Sequence, residues 1–245
     1  MLMRARLCLL IAPAIALAAC GGGSPKATPD ARVGTDITIE VAAAPGSSEL
    51  IRLAAVERGT GTVGVVLAHM LGSSQSAWSP IVGDLVDEGF HVLTFDFRGH
   101  GLSGGTRDPS HADLDLAGAV AKIRALGASR VLVVGASLGG TAAIAVAATA
   151  DLGGVVTLSA PARIDDLEAG AIASKVTEPA LFLVGANDDP RYVEAARAFN
   201  AATKGPKKLQ VLAGTSAHGT DLLTDSRVGK RVRKLVLDFL IDHRG

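Results

Sequence analysis

Short apolar runs rich in β-branched residues recur along the chain, separated by longer stretches whose apolar positions repeat at helical spacing. The runs predict strands over 63–68, 91–95, 130–134, 155–158, 180–184 and 209–212. The stretches between them predict helices over 80–88, 113–126, 138–150, 190–202 and 227–241. In 113–126, Leu114, Ala117, Val120, Ala121 and Ile123 are expected on one face, with Ser110 and Asp113 as a capping box. In the last helix, Val228, Val232, Leu235, Val236 and Phe239 form the apolar stripe. Strands this continuously apolar are covered on both faces, which implies a mostly parallel sheet between helical layers. Two further strands, 36–41 and 50–56, precede the alternation and suit an antiparallel hairpin at the sheet edge. The expectation is one α/β domain over 34–245 with a sheet of about eight strands.

Composition narrows the function classes. The chain has 245 residues, 48% hydrophobic and 20% charged, which is globular. Lys and Arg total 24, as do Asp and Glu, and aromatics make up only 3%. Such a chain has neither the basic footprint nor the stacking platforms of a nucleic-acid binder. Two cysteines exclude a disulfide scaffold and a four-thiolate zinc site. His111, Asp113 and Asp115 are better explained as a polar helix start than as metal ligands, and no metal or cofactor is expected.

The N-terminus follows a different logic. Arg4 and Arg6 precede an apolar run, 7–19, too short to span a bilayer. The run has the form of an export signal. It ends in Leu17-Ala18-Ala19-Cys20, followed by a Gly-, Ser- and Pro-rich stretch to about residue 33. This resembles the lipobox of bacterial lipoproteins. The resemblance implies removal of 1–19, lipidation of Cys20, and 20–33 as a flexible tether to a membrane. It also implies a cell-envelope location, at the outer membrane in a Gram-negative host because Gly21 follows the cysteine.

In sheets of this kind, sites form beyond the carboxyl ends of the strands. Gly135-Ala136-Ser137-Leu138-Gly139 matches G-x-S-x-G between a predicted strand and a predicted helix. Gly101-Leu102-Ser103-Gly104-Gly105 matches as well, but has neither flank. Ser137 is therefore the candidate nucleophile. A serine needs a base, and the base needs an orienting carboxylate. His218 lies between the last strand and the last helix. The carboxylate is Asp188 or Asp189, which follow the strand at 180–184. Asp189 precedes Pro190 and suits a helix cap, which favours Asp188 for the acid.

The span from about 35 to 245 resembles an α/β-hydrolase of serine esterase type. Leu67-Ala68-His69-Met70-Leu71-Gly72 is similar to that family's H-G-x-G loop, and Asp96-Phe97-Arg98-Gly99-His100-Gly101-Leu102-Ser103 to its D-x-R-G-x-G-x-S loop. The resemblance implies a carboxylic ester or similar acyl substrate, with thioester, amide and peptide cleavage or plain binding as the alternatives. It implies an oxyanion hole from the backbone N–H groups of Leu71 and Leu138. Met70 replaces the usual glycine and is expected to narrow the acyl site or shift the loop. His69, His100, Asp96 and Arg98 are expected to hold loops, and Trp78 to pack. Family members often carry a lid after the sixth strand. Here 159–179 is short, with a helix expected over 165–175, so the lid is small or absent.

Overall fold

Continuous apolar runs become buried strands. The computed structural model describes residues 33–245; segment 1–19, Cys20 and the rest of the tether to residue 32 lie outside the described residues. The strands are β1 (Thr35–Ala42), β2 (Leu50–Arg58), β3 (Val63–Ala68), β4 (His91–Phe95), β5 (Arg130–Ala136), β6 (Gly154–Leu158), β7 (Ala180–Gly185) and β8 (Lys207–Leu212). They form one eight-stranded sheet in the order β1-β2-β4-β3-β5-β6-β7-β8. β2 pairs antiparallel with both β1 and β4, and every other pair is parallel. This is the α/β-hydrolase fold.

The two-residue period of the strands divides the core. Val66, Val131 and Val133 face a layer made of α2 (Ala112–Ala125), α3 (Leu138–Ala147), α4 (Ala169–Ile172) and α5 (Pro190–Ala202). Val65, Leu67, Leu132 and Val134 face α1 (Ser79–Asp87) and α6 (Gly229–Asp242). Every residue of α3 is buried. That suits a helix apolar all round, which must lie inside the molecule. Trp78 is fully buried on the α1 side, so it packs and lines no cleft.

β3 lies between β4 and β5. The chain steps from β3 to β4 on one side and then crosses to β5 on the other. At such a reversal a crevice opens outside the carboxyl ends of the strands. The loops after β3 and β5 both reach it.

Three local expectations are corrected. Ser110 and Asp113 form no capping box. Asp108 accepts the Ser110 N–H at 3.1 Å, and the Ser110 hydroxyl accepts the Asp166 N–H at 3.3 Å. Pro109 opens a short 3₁₀ turn that delays the helix to Ala112. The buried stripe of α2 is Ala112, Asp115, Leu116, Ala119, Val120 and Ile123, while Ala117 and Ala121 are exposed and Leu114 is half-buried. The inward pull on Asp115 rotates the helix. Its Oδ1 accepts from Arg98 Nη2 at 2.7 Å and Nε at 2.9 Å, and its Oδ2 from the Arg98 N–H at 2.9 Å. Finally, the helix expected over 165–175 is only α4 and a 3₁₀ turn, Ala173–Lys175. Asp165 at φ 47° makes a tight turn between Ile164 and Leu167 instead.

The Arg98–Asp115 pair is essentially solvent-free, with side chains 2% and 0% exposed. Burial raises the proton affinity of the Asp115 carboxyl, and the Arg98 guanidinium opposes this. Arg98 also donates to the Ala42 and Ala43 carbonyls at the end of β1. Removing one partner strands the other charge. Arg98→Met is expected to cost about 3–5 kcal/mol in urea unfolding, and Arg98→Met with Asp115→Leu to recover most of it. Equal stability of the single and double variants would refute this account.

Candidate active site

The turn from β5 into α3 places Ser137 above the sheet. Its backbone sits at φ 46° and ψ −111°, a conformation that costs a non-glycine residue on the order of 1–3 kcal/mol. The flanking glycines make the turn possible. A Cβ at Gly135 would lie 2.2 Å from the Gly139 carbonyl oxygen, and one at Gly139 would lie 2.2 Å from the Ala68 carbonyl oxygen. No side chain fits at either position.

Two other strand ends bring their residues to the same point. His218 Nε2 lies 2.8 Å from Ser137 Oγ, and His218 Nδ1 lies 2.9 Å from Asp188 Oδ2. Asp188 is buried, and its Oδ1 accepts the Asp189 N–H at 2.8 Å. Asp189 accepts the Arg191 N–H at 3.0 Å and caps α5. The structure therefore gives the imidazole to Asp188 and the helix end to Asp189. The His218 loop is braced from below. Thr215 donates to Asp225 Oδ2 at 2.7 Å and accepts the Ala217 N–H at 3.0 Å. The Thr215 hydroxyl bond, with the Val228 and Arg227 amides, holds the Asp225 carboxyl below the ordinary range.

The loop after β3 is tied to the loop after β4. His69 Nδ1 donates to the Met70 carbonyl at 2.8 Å, and its Nε2 accepts the Phe97 N–H at 3.0 Å. His100 Nε2 accepts the Gly72 N–H at 3.3 Å. Asp96 accepts the Gln75 N–H at 2.7 Å and the Leu102 N–H at 3.0 Å. The Ser103 hydroxyl donates to the Asp96 carbonyl at 2.6 Å and accepts the Ala54 N–H at 2.9 Å. All four side chains hold loops. Arg98 does so too, but its carboxylate partner is Asp115 and not its neighbour Asp96. Met70 does not narrow the site. Its side chain is partly buried, at 2.8 Å from where a Gly219 Cβ would lie, and it lines no part of the cleft over Ser137.

The amide N–H groups of Leu71 and Leu138 meet no acceptor among the described residues. Leu71 and Ser137 line a cleft of about 440 Å³, together with Pro161, Arg163, Ile164, Arg191, Tyr192 and His218. Arg163, Arg191 and Tyr192 escaped the sequence reading. Tyr192 is the chain's only tyrosine and lies in the first turn of α5, which its Asp189 cap aims back over the acid loop. Its ring centroid is 4.2 Å from that of His218.

Residues 65–238 match the Alpha/beta hydrolase family profile. The chain belongs to that family. A curated relative, the "Putative carbamate hydrolase RutD" of Variovorax paradoxus (strain S110), is 31% identical over 143 residues, 55% of this chain and 50% of that protein. The chain thus spans about half the length of the curated relative it matches. Among solved structures, the Pyrococcus furiosus esterase Pf2001 superposes with a TM-score of 0.71 at 20% identity, over 87% of this chain and 91% of that one. A thermophilic esterase from Thermogutta terrifontis gives 0.70 at 19% identity, over 86% of this hydrolase-family chain and all of that one. The Paleococcus ferrophilus monoacylglycerol lipase gives 0.68 at 22% identity, over 78% and 99%. At these identities the likeness carries the fold and not the substrate.

His69 gives the site a pH dependence in stability. Burial is the main cause that lowers its pKa from 6.5 to about 4, and His100 adds to it; the Met70 hydrogen bond and Asp96 oppose it. The unfolded chain therefore binds the extra proton throughout that window. The contribution is whole above pH 6.5 and is lost as the pH falls through 4. It amounts to roughly 3 kcal/mol. Urea midpoints measured across this window are expected to fall more steeply for the wild type than for His69→Gln; parallel slopes would refute the assignment.

Proposed function

We propose that this protein is a serine hydrolase that cleaves carboxylic esters or similar acyl substrates through an acyl-enzyme. The observation that carries the reading is the continuous relay from the Ser137 hydroxyl through His218 to buried Asp188. In this mechanism Ser137 Oγ attacks the substrate carbonyl carbon while His218 Nε2 takes its proton. Asp188 fixes the tautomer with the proton on Nδ1 and stabilises the imidazolium. The oxyanion forms beside the Leu71 and Leu138 amides, where one donor is typically worth about 3 kcal/mol. His218 then protonates the leaving alcohol. A water enters, gives its proton to His218, and releases the acid while Ser137 recovers its proton. The likeness to the carbamate hydrolase supports a second acyl class, carbamates, for the same machinery.

We also infer that Cys20 is lipidated and holds the domain at the cell envelope. The Leu17-Ala18-Ala19-Cys20 motif after a short apolar run supports this. Cys20→Ser is expected to move the protein out of the membrane pellet and to abolish incorporation of labelled palmitate. An unchanged pellet fraction would overturn the inference.

Hydrolysis of p-nitrophenyl esters tests the catalytic reading. Ser137→Ala is expected to lower turnover by roughly 10³-fold or more, and Asp188→Asn by about 10³–10⁴-fold, with circular dichroism unchanged. Asp189→Asn and Ser103→Ala are expected to act through stability and to keep most of the turnover. Wild-type activity in Ser137→Ala would overturn the proposal, and a large loss confined to Asp189→Asn would reassign the acid.

A further inference from the structure

The walls of the Ser137 cleft are charged in one sense only. Apart from His218, the ionisable side chains that line it with a standing charge are Arg163 and Arg191, and no carboxylate among the described residues lines it. The two arginines come from different elements, the segment after β6 and the first turn of α5.

Both are held in place. Arg191 lies over the Tyr192 ring, 4.8 Å from its centroid, and donates to the Tyr192 hydroxyl at 3.0 Å. Tyr192 in turn packs on His218, with ring centroids 4.2 Å apart. Arg163 Nε donates to the Asp165 carbonyl at 2.8 Å, across the tight turn at 164–167. Thr141 of the nucleophile helix ties that segment down through the Pro161 carbonyl at 2.8 Å. Among the described residues each arginine has one carboxylate neighbour: Glu168 lies 3.2 Å from Arg163 Nη1 and Asp189 lies 3.4 Å from Arg191 Nε. Neither carboxylate lines the cleft. Arg163 Nη2 and Arg191 Nη1 have no hydrogen-bond partner among the described residues.

We propose that Arg163 and Arg191 select an ester that carries a carboxylate several bonds from the scissile carbonyl, the anion seated between the two guanidinium groups while the carbonyl lies at Ser137. This rests on the serine-hydrolase reading and adds a substrate class to it. The planar guanidinium matches a carboxylate with paired N–H donors, which a neutral acyl chain leaves unused. Both side chains are well exposed, so the attraction is screened by salt.

The test is a rate comparison. Monomethyl succinate, glutarate and adipate are set against the methyl esters of butyric, valeric and hexanoic acids, and the butyrate ester of glycolate against ethyl butyrate. For the wild type, kcat/KM is expected to favour the best anionic ester over its neutral partner by about tenfold, mainly through KM. The preference is expected to shrink in high salt, and to fall severalfold in Arg163→Gln and in Arg191→Gln. A preference in the diacid series places the anion on the acyl side, and one confined to the glycolate ester places it on the alcohol side; both support the proposal. Neutral esters cleaved as well as anionic ones, or a preference that survives both arginine replacements, would overturn it and leave the hydrolase reading intact. No turnover of any ester would instead count against the hydrolase reading.

Discussion

The close crossing of two backbones governs this site. The turn from β5 into α3 runs against the end of β3 so tightly that position 139 accepts no Cβ, and it closes on itself so tightly that position 135 accepts none. The strain of Ser137's positive φ is sustained because α3 is buried along its whole length and cannot swing away. The same crossing ties the β3 loop to the start of α3, where the Gly139 N–H donates to the His69 carbonyl at 3.2 Å. A side chain at Gly139 would push β3 and α3 apart.

Around that crossing the polar groups are divided by task. His69, Asp96 and His100 satisfy backbone N–H groups of the loops after β3 and β4, Ser103 ties the second of these loops to the Ala54 N–H of β2, and Arg98 pins it to Asp115 of α2 and to the end of β1. None of these side chains lines the cleft over Ser137. Buried polar groups paired this fully rigidify the scaffold, because each alternative arrangement would leave a donor or acceptor unpaired in low dielectric. The residues over the cleft, Tyr192, Arg163 and Arg191, are instead partly or largely exposed, where substrate contact is possible.

The strands were legible because burial on both faces leaves an unbroken apolar run, a local signal. Ser137 could be told from Ser103 for the same kind of reason: strand, glycine turn and helix are contiguous. The helix boundaries after 159 and before 112 were not legible. Pro109 and the turn at Asp165 act through contacts with residues far along the chain, such as Asp166 with Ser110. The rotation of α2 was hidden for a related reason. Asp115 reads as a solvent-facing charge until Arg98 is placed opposite it.

The sequence by itself determined the α/β alternation, the edge hairpin, the glycines that permit the sharp turn, and which residue types stand at the strand ends. Those depend on period, steric size and near neighbours. Only the tertiary structure decided that Asp188 meets His218 while Asp189 caps α5, that Met70 turns away from the cleft, and that Tyr192 with two arginines surrounds the serine. Those outcomes depend on directions and distances between strand ends 30 to 81 residues apart, and a linear pattern carries neither.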